Sequence, residues 1–209
     1  MQRILDFNAS IKMLKKYGIK FADFEVVKKK ENIGKAAKKI GFPLVEKIIS
    51  PDIIHKTEKK CVEIGIKNEK EALDAFERIH KNAGNARFSG ILLQKQIDGH
   101  EIIIGGKKDA QFGAVVLFGL GGIFTEILKD FAIRVAPIDE KEAQEMIQEI
   151  KGFSVLTGAR GKKPANLNKI AQTIVSASKL VSAEKIKEFD LNPCFAGSEC
   201  VAADVRIIL

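Results

Sequence analysis

Glu188-Phe189-Asp190-Leu191-Asn192-Pro193, read together with Val201-Ala202-Ala203-Asp204-Val205-Arg206-Ile207-Ile208-Leu209, decides how the rest of the chain is read. Side chains alternate faces along a strand, so Glu188, Asp190 and Asn192 share one face while Phe189 and Leu191 share the other. The second run has the same habit, with Ala202, Asp204 and Arg206 opposed to Val201, Val205 and Ile207. A hairpin turning around Ser198 sets Asn192 directly opposite Asp204. An amide oxygen beside a carboxylate suits a hard cation that keeps waters and phosphate oxygens, which describes Mg²⁺. On spacing alone, an ordinary hairpin with one wet face accounts for the pattern equally well.

Composition narrows the class. The 209 residues are enough to bury a sizeable core as one domain or two small lobes, and 45% hydrophobic with 30% charged residues describes an ordinary globular protein. No apolar run approaches the roughly 20 residues of a membrane span, and the first residues lack a signal-peptide core. The three cysteines, Cys61, Cys194 and Cys200, have no metal-ligand spacing and read as reduced thiols of a cytoplasmic protein. A net charge of +8 invites a nucleic-acid partner, but the basic residues are scattered as pairs and one triplet. There is no Trp and a single Tyr, Tyr17, to serve as a stacking platform beside the Phe residues, and no helix-turn-helix or zinc-finger signature appears. Nucleic acid and membrane are therefore not expected partners. A polyanionic small molecule such as a nucleotide is.

Helices and strands alternate along the chain without repeats. Asn8 is placed to cap a first helix bearing Ile11 and Leu14. A second helix carries Ile33, Ala36, Ala37 and Ile40 and stops at Gly41, after which Pro43 introduces a strand from Leu44 to Ile49. Cys61 to Ile66 reads as a strand, and Glu69 to His80 as a helix with Ala72, Leu73, Phe76 and Ile79 in its stripe. Ile91–Ile97 and Glu101–Ile104 flank Asp98-Gly99, a two-residue hairpin signal. A strand from Phe112 to Phe118 follows. Asp139 and Glu142 form a capping box for a helix with Ala143, Met146, Ile147 and Ile150. The last helix, from about Asn168, carries Ile170, Ile174, Ala177 and Val181. The class is α/β (α+β), with a small α/β lobe over residues 1–90, an antiparallel α+β lobe over 91–209, and a nucleotide cleft expected between them.

Four segments offer chemistry. Gly119-Leu120-Gly121-Gly122 follows a strand, and its glycines let backbone amides approach a phosphate, although a plain tight turn reads as well. Lys47 ends an apolar strand, where it either pairs with nucleotide phosphates or is an exposed strand end. His55 stands in Ser50-Pro51-Asp52-Ile53-Ile54-His55-Lys56-Thr57, a loop between two strands. Imidazole nitrogen accepts and passes on phosphoryl groups, and a surface loop histidine is the plainer reading. Gly158-Ala159-Arg160-Gly161-Lys162-Lys163 is a basic glycine-framed loop that reads as an anion site or as a connector.

Taken together and in order, these pieces resemble the beta subunit of ADP-forming acetate–CoA ligase (ADP-forming acetyl-CoA synthetase), an ATP-grasp protein. The carriers are Gly41-Phe42-Pro43…Lys47…Ser50-Pro51-Asp52…His55-Lys56-Thr57, Gly99…Glu101…Gly105, Phe118-Gly119-Leu120-Gly121-Gly122-Ile123…Glu126…Asp130…Arg134, Gly158…Arg160-Gly161, and Glu188…Asp190-Leu191-Asn192-Pro193…Asp204…Arg206. The likeness runs from about Leu14 to Leu209. One departure is Lys59-Lys60, where the family has a glycine pair.

The resemblance implies a single ATP-grasp domain over 1–209 that transfers a phosphoryl group between a phosphohistidine and ADP/ATP with Mg²⁺. His55 would be the relay and Lys47 would hold nucleotide phosphates. Gln94, Lys95, Gln96 and Ile97 would contact adenine, with Glu101 near the ribose. Gly121, Gly122 and Arg134 would complete the nucleotide set, and Asn192 with Asp204 would hold Mg²⁺. It also implies a CoA-binding alpha subunit as partner in a hetero-oligomer, α2β2. The competing readings are an ATP-grasp carboxylate–amine ligase, which does not need His55, and a non-catalytic nucleotide-binding subunit.

Overall fold

The computed structural model describes residues 3–53, 55–122, 130–161 and 163–209, with the side chain of Arg160 outside that set. Ile123, Glu126 and Lys162, named above, also lie outside the described residues. The chain forms two compact units, Ala22–Ile97 and Met1–Phe21 with Asp98–Leu209. The division falls at Ile97/Asp98 instead of near residue 90, and the first residues group with the C-terminal part. The first helix, α1 (Phe7–Lys16), belongs there. Its cap is Asp6, whose carboxylate accepts from the Ala9 amide at 3.0 Å, while Asn8 sits inside the helix.

The Ala22–Ile97 unit contains β1 (Phe24–Val27), α2 (Ile33–Ile40), β2 (Leu44–Ile49), β3 (Val62–Ile66), α3 (Glu69–Ala83) and β4 (Gly90–Lys95). Its antiparallel sheet has the order β1-β4-β2-β3. Gly41 ends α2 at φ +80°, a conformation that favours glycine. Ile33 and Ala37 of α2 and Ala72, Ala75 and Ile79 of α3 bury against Leu44, Ile48, Ile91 and Leu93 on one sheet face. Burying each such Leu or Ile contributes about 1.5–3 kcal/mol. The alternate residues Val45, Lys47, Leu92 and Gln94 point to the opposite face.

The second unit contains β5 (His100–Asp109), β6 (Gly113–Leu120), β7 (Phe131–Val135), α4 (Glu140–Glu149), α5 (Phe153–Leu156), α6 (Leu167–Ala183), β8 (Glu188–Ala196), β9 (Cys200–Ala202) and β10 (Arg206–Ile208). The sheet order is β10-β8-β5-β6-β7, with β9 paired to β8. The capping box of Asp139 and Glu142 is present, and Asn166 caps α6. Ile170, Ile174, Ala177 and Val181 of α6 bury fully against Ile102, Ile104, Val116, Phe118, Phe189 and Leu191.

The expected hairpin across Asp98-Gly99 does not form. β4 pairs with β1 and β2, whereas β5 pairs with β6 and β8 in the other sheet. Gly99 serves a close approach instead of a turn: a Cβ there would lie 2.8 Å from the backbone oxygen of Ala196. Two short strands escaped the pattern reading. β1 is only four residues long. On β7, Phe131, Ile133 and Val135 are exposed, so its outward face lacks the polar alternation that marks a half-buried strand.

Candidate functional site

The β8–β10 region is built on one register. Cys194 faces Ala202 and Ala196 faces Cys200, which centres the turn on Ser198. Further along, Arg206 faces Asp190 and Ile208 faces Glu188 in the same registry. The interval between these pairings therefore sets Asn192 across from Asp204. Pro193 closes the gap by accepting from the Ala203 and Asp204 amides at 2.9 and 3.4 Å. Against β5 the register shifts, with Ile102 opposite Cys194 and Ile104 opposite Leu191, so the extra residue falls at Asn192-Pro193. A bulge of this kind re-aims a side chain, and Asn192 is exposed.

Arg206 organises the acids beside this pair. It donates to Asp190 at 3.2 Å and to Glu188 at 3.1 Å. Burial pushes the Asp190 carboxyl up from its ordinary value, Arg206 pulls it down, and neighbouring Asp204 pushes it up again. Asp204 accepts from the Val205 amide at 2.9 Å. Among the described residues no group of three or more His, Cys, Asp or Glu is arranged to hold a metal. An amide and a carboxylate on one strand pair fit Mg²⁺ as a partial ligand set, which waters and phosphate oxygens complete.

Glu101, Gly121 and Gly122 come together as expected. The Gly121 amide donates to the Glu101 carbonyl at 2.8 Å, and a Cβ at Gly121 would lie 2.6 Å from Glu101 Cγ. Gly122 has φ +61°, and its Cβ position lies 3.3 Å from Glu101 Oε2. Only glycines permit this contact. Arg134 is not brought to them. It faces Val116 across the strands and pairs with Glu149 of α4 at 2.5 Å, on the helix-covered side.

In the other unit, Lys47 does not end its strand. β2 runs on to Ile49, and Lys47 is paired opposite Leu92, because β4 offers backbone partners as far as Gly90. Lys47 is buried, and its Nζ donates to Gln94 Oε1 at 3.0 Å. A lysine ammonium accepts nothing, so this bond sets the orientation of the Gln94 amide. The Nε2 of Gln94, on a residue only 1% exposed, then has no hydrogen-bond partner among the described residues. A buried orphan donor calls for an explanation, and a bound ligand is one. Lys95 donates to the Phe42 carbonyl at 3.1 Å, Gln96 accepts from the Gly65 amide at 2.9 Å, and Ile97 is half-buried.

Sequence reasoning passed over Glu46, although a carboxylate inside Leu44-Val45-Glu46-Lys47-Ile48 was its signal. Glu46 is fully buried, and neither carboxylate oxygen has a hydrogen-bond partner among the described residues. Burial, then the charge of Glu63, push its carboxyl up to about 8 against the pull of Arg78.

His55 lies on the loop between β2 and β3, with its side chain 73% exposed and Nδ1 3.8 Å from Glu58 Oε1. The loop is pinned at both ends. Asp52 accepts from the Arg87 amide at 2.8 Å and from the Arg87 guanidinium at 2.6 Å, which holds the Asp52 carboxyl down at about 2. At the far end the Cys61 amide donates to Lys56 O, and Asn82 donates to Lys60 O, each at 2.8 Å. Lys60 has φ +52°, the one non-glycine residue at positive φ among the described residues. The structure thus uses a left-handed conformation where the resemblance expects glycine.

No helix among the described residues is long and apolar enough to cross a membrane. The chain matches the ATP-grasp domain family over residues 1–209. It is 46% identical over 204 residues to the beta subunit of ADP-forming acetate–CoA ligase I of Pyrococcus furiosus, covering 94% of this chain and 88% of that one. A solved structure of dinucleotide-forming acetyl-coenzyme A synthetase 1 of Ca. Korarchaeum cryptofilum, in complex with coenzyme A, Ca-AMPCP and HgCl+, superposes with a TM-score of 0.94 at 36% identity, over 99% of this chain and 93% of that chain. A second structure of that enzyme holds coenzyme A and Mg-AMPPCP, with its phosphohistidine segment pointing towards the nucleotide binding site. It gives a TM-score of 0.83 at 34% identity, over 98% and 92% of the two chains. The chain therefore belongs to the ATP-grasp family and, within it, to the beta subunits of ADP-forming acetate–CoA ligases.

Proposed function

We propose that this chain handles the nucleotide half-reaction of an ADP-forming acetyl-CoA synthetase, moving a phosphoryl group between His55 and ADP. In the direction of ATP synthesis, the P–N bond of phosphorylated His55 breaks and a bond forms from the phosphorus to the terminal oxygen of ADP. Such transfer needs positioning and charge neutralisation more than covalent help from the protein. Lys47 supplies positive charge to the phosphates, and the Gln94 amide donates to the adenine. Lys95, Gln96 and Ile97 complete that side, and Glu101 binds the ribose. The Gly122 amide faces the phosphates, on a turn that Gly121 fixes by donating its own amide to the Glu101 carbonyl. Asn192 and Asp204 hold Mg²⁺, which neutralises phosphate charge when bound.

One observation carries this reading above the others: the common register on both sides of Asn192 and Asp204. A direct carboxylate–amine ligase has no use for His55, whereas here that histidine is presented on a loop anchored at Asp52 and Cys61. The relatives' designation as beta subunits supports a separate partner. We assign that partner as a CoA-binding alpha subunit, in an α2β2 assembly in the cytoplasm.

Calorimetric titration with Mg-ADP tests the site. Asp204→Asn should weaken binding about 10–100-fold, the equivalent of losing one charge-assisted contact of about 1.5–3 kcal/mol, with thermal unfolding unchanged. Unchanged affinity in a folded Asp204→Asn protein would remove the pair from the site.

A further inference from the structure

The loop that carries His55 is rooted in β2 and β3, and few rungs join those roots. The Ile48 amide donates to the Cys61 carbonyl at 3.0 Å, Lys47 faces Val62, and Glu46 faces Glu63. Beyond Glu46 the register is broken before Leu44 meets Ile66. β3 is also an edge strand, paired in the sheet with β2 alone. The innermost of these rungs sets two carboxylates opposite one another on one face. Glu63 accepts from Arg78 Nε at 2.9 Å. Glu46 is fully buried, and its oxygens have no hydrogen-bond partner among the described residues. A carboxyl in that position keeps its proton, because burying an unpaired charge costs far more.

We propose that Glu46 is a proton-operated clasp: with its proton it lets β3 close on β2 at the foot of the loop, and loss of the proton parts the two strands there. This goes beyond the phosphoryl reading and does not depend on it. Ionised in place, Glu46 would stand unpaired against the charge of Glu63 beneath α3. It therefore ionises where β3 lifts away and water reaches it, and the proton passes to solvent. The surroundings offer no other relief. α2 and β4 bring Ile33, Ala37, Ile91 and Leu93 to this core. From α3 come Arg78, engaged by Glu63, and Asp74, whose charge also acts on Arg78. At the loop's end, Cys61 is buried, which raises its thiol and keeps it protonated. Burial, then Glu63, raise the Glu46 carboxyl to about 8 from an ordinary value of 4.5. The closed strands thus bind a proton that the parted strands lose. Parting is favoured as pH rises from about 4.5 to about 8, by about tenfold per pH unit, and levels off above that range.

Amide hydrogen exchange of the full-length chain is the test, with each rate divided by the intrinsic rate of that amide at the same pH. Protection of the Ile48 amide should fall about tenfold per pH unit between about pH 6 and about pH 7.5, with little dependence on urea below the unfolding transition. Glu46→Gln and Glu46→Leu carry no charge at any of these pH values and should show no such fall. The proposal is overturned if Ile48 protection is independent of pH in the native chain, or falls equally in Glu46→Gln. It is overturned as well if the loss at Ile48 matches that of the α3 amides in size and urea dependence, since that marks unfolding of the whole unit. No nucleotide enters these measurements, so failure of the clasp is distinct from failure of the phosphoryl reading. The pH and urea series on the native chain decides the matter even where a variant folds poorly.

Discussion

The loop between β2 and β3 and the paired strands β8–β10 carry the proposed chemistry in opposite ways. Asn192 and Asp204 sit on backbone whose register is set on both flanks, by Cys194 with Ala202 and by Asp190 with Arg206. His55 sits on a loop held by Asp52 with Arg87 and by Asn82 with Lys60; its backbone carbonyl accepts from the Lys59 amide, while its side chain is exposed. An ion site needs its ligands held in one geometry, and strands supply that. A group that accepts phosphate at one place and delivers it at another needs fixed roots and an unburied tip. On the proposed reading, one of these demands falls on a sheet and the other on a loop between two strands.

Breaking the rigid side should cost most. Gly99→Val puts a side chain where a Cβ alone would meet the Ala196 oxygen at 2.8 Å and carbon at 3.0 Å, both backbone atoms at the end of β8. Neither contact yields by rotating a side chain, so destabilisation of about 3 kcal/mol is expected in denaturant titration, with Mg-nucleotide binding lost alongside.

The strand that leads into the loop gives a pH-dependent counterpart. Glu46 has its carboxyl raised in the fold to about 8, from an ordinary value of 4.5. The folded form therefore binds a proton that the unfolded chain has already lost. Stability falls as pH rises from about 4.5 to about 8 and is flat beyond, at up to ~1.4 kcal/mol per pH unit. Glu46→Gln should abolish that slope, read as equal unfolding midpoints at pH 5 and pH 8 where the native chain loses stability. A native chain equally stable at both values would contradict the buried acid.

The smallest effect belongs to the loop itself. Lys60→Gly relieves a left-handed conformation that costs a side-chain-bearing residue about 1–2 kcal/mol, offset by roughly 0.5–1 kcal/mol of extra unfolded-state freedom. A net gain of about 0.5 kcal/mol is expected by chemical denaturation. A loss would show that Lys60 makes a compensating contact.

How much of this was readable follows the same division. The alternation of Glu188 to Leu191 and the turn around Ser198 gave the register of β8 with β9 and β10, since period and turn position suffice for a local strand pair. The stripe of α6 and the capping box of α4 were readable for the same reason. What failed was non-local. Asp98-Gly99 carries the residues of a turn, but the pairing of β4 and β5 into different sheets is decided by partners far along the chain, β2 and β8. Lys47 read as a strand end because its burial depends on β4. Arg134 lies on a strand too short and too apolar on its outer face to be recognised, and its tie to Glu149 follows from how α4 packs. The partnerless atoms of Glu46 and Gln94 are properties of packing, and no local pattern announces them.

The central claim is that His55 is the phosphoryl carrier, and labelling tests it most directly. The chain is incubated with γ-labelled Mg-ATP, and acid-labile, alkali-stable label is measured in the native protein and in His55→Ala. The account predicts label on the native chain and none on His55→Ala, with Mg-ADP affinity alike in both. Label that persists in His55→Ala would contradict it.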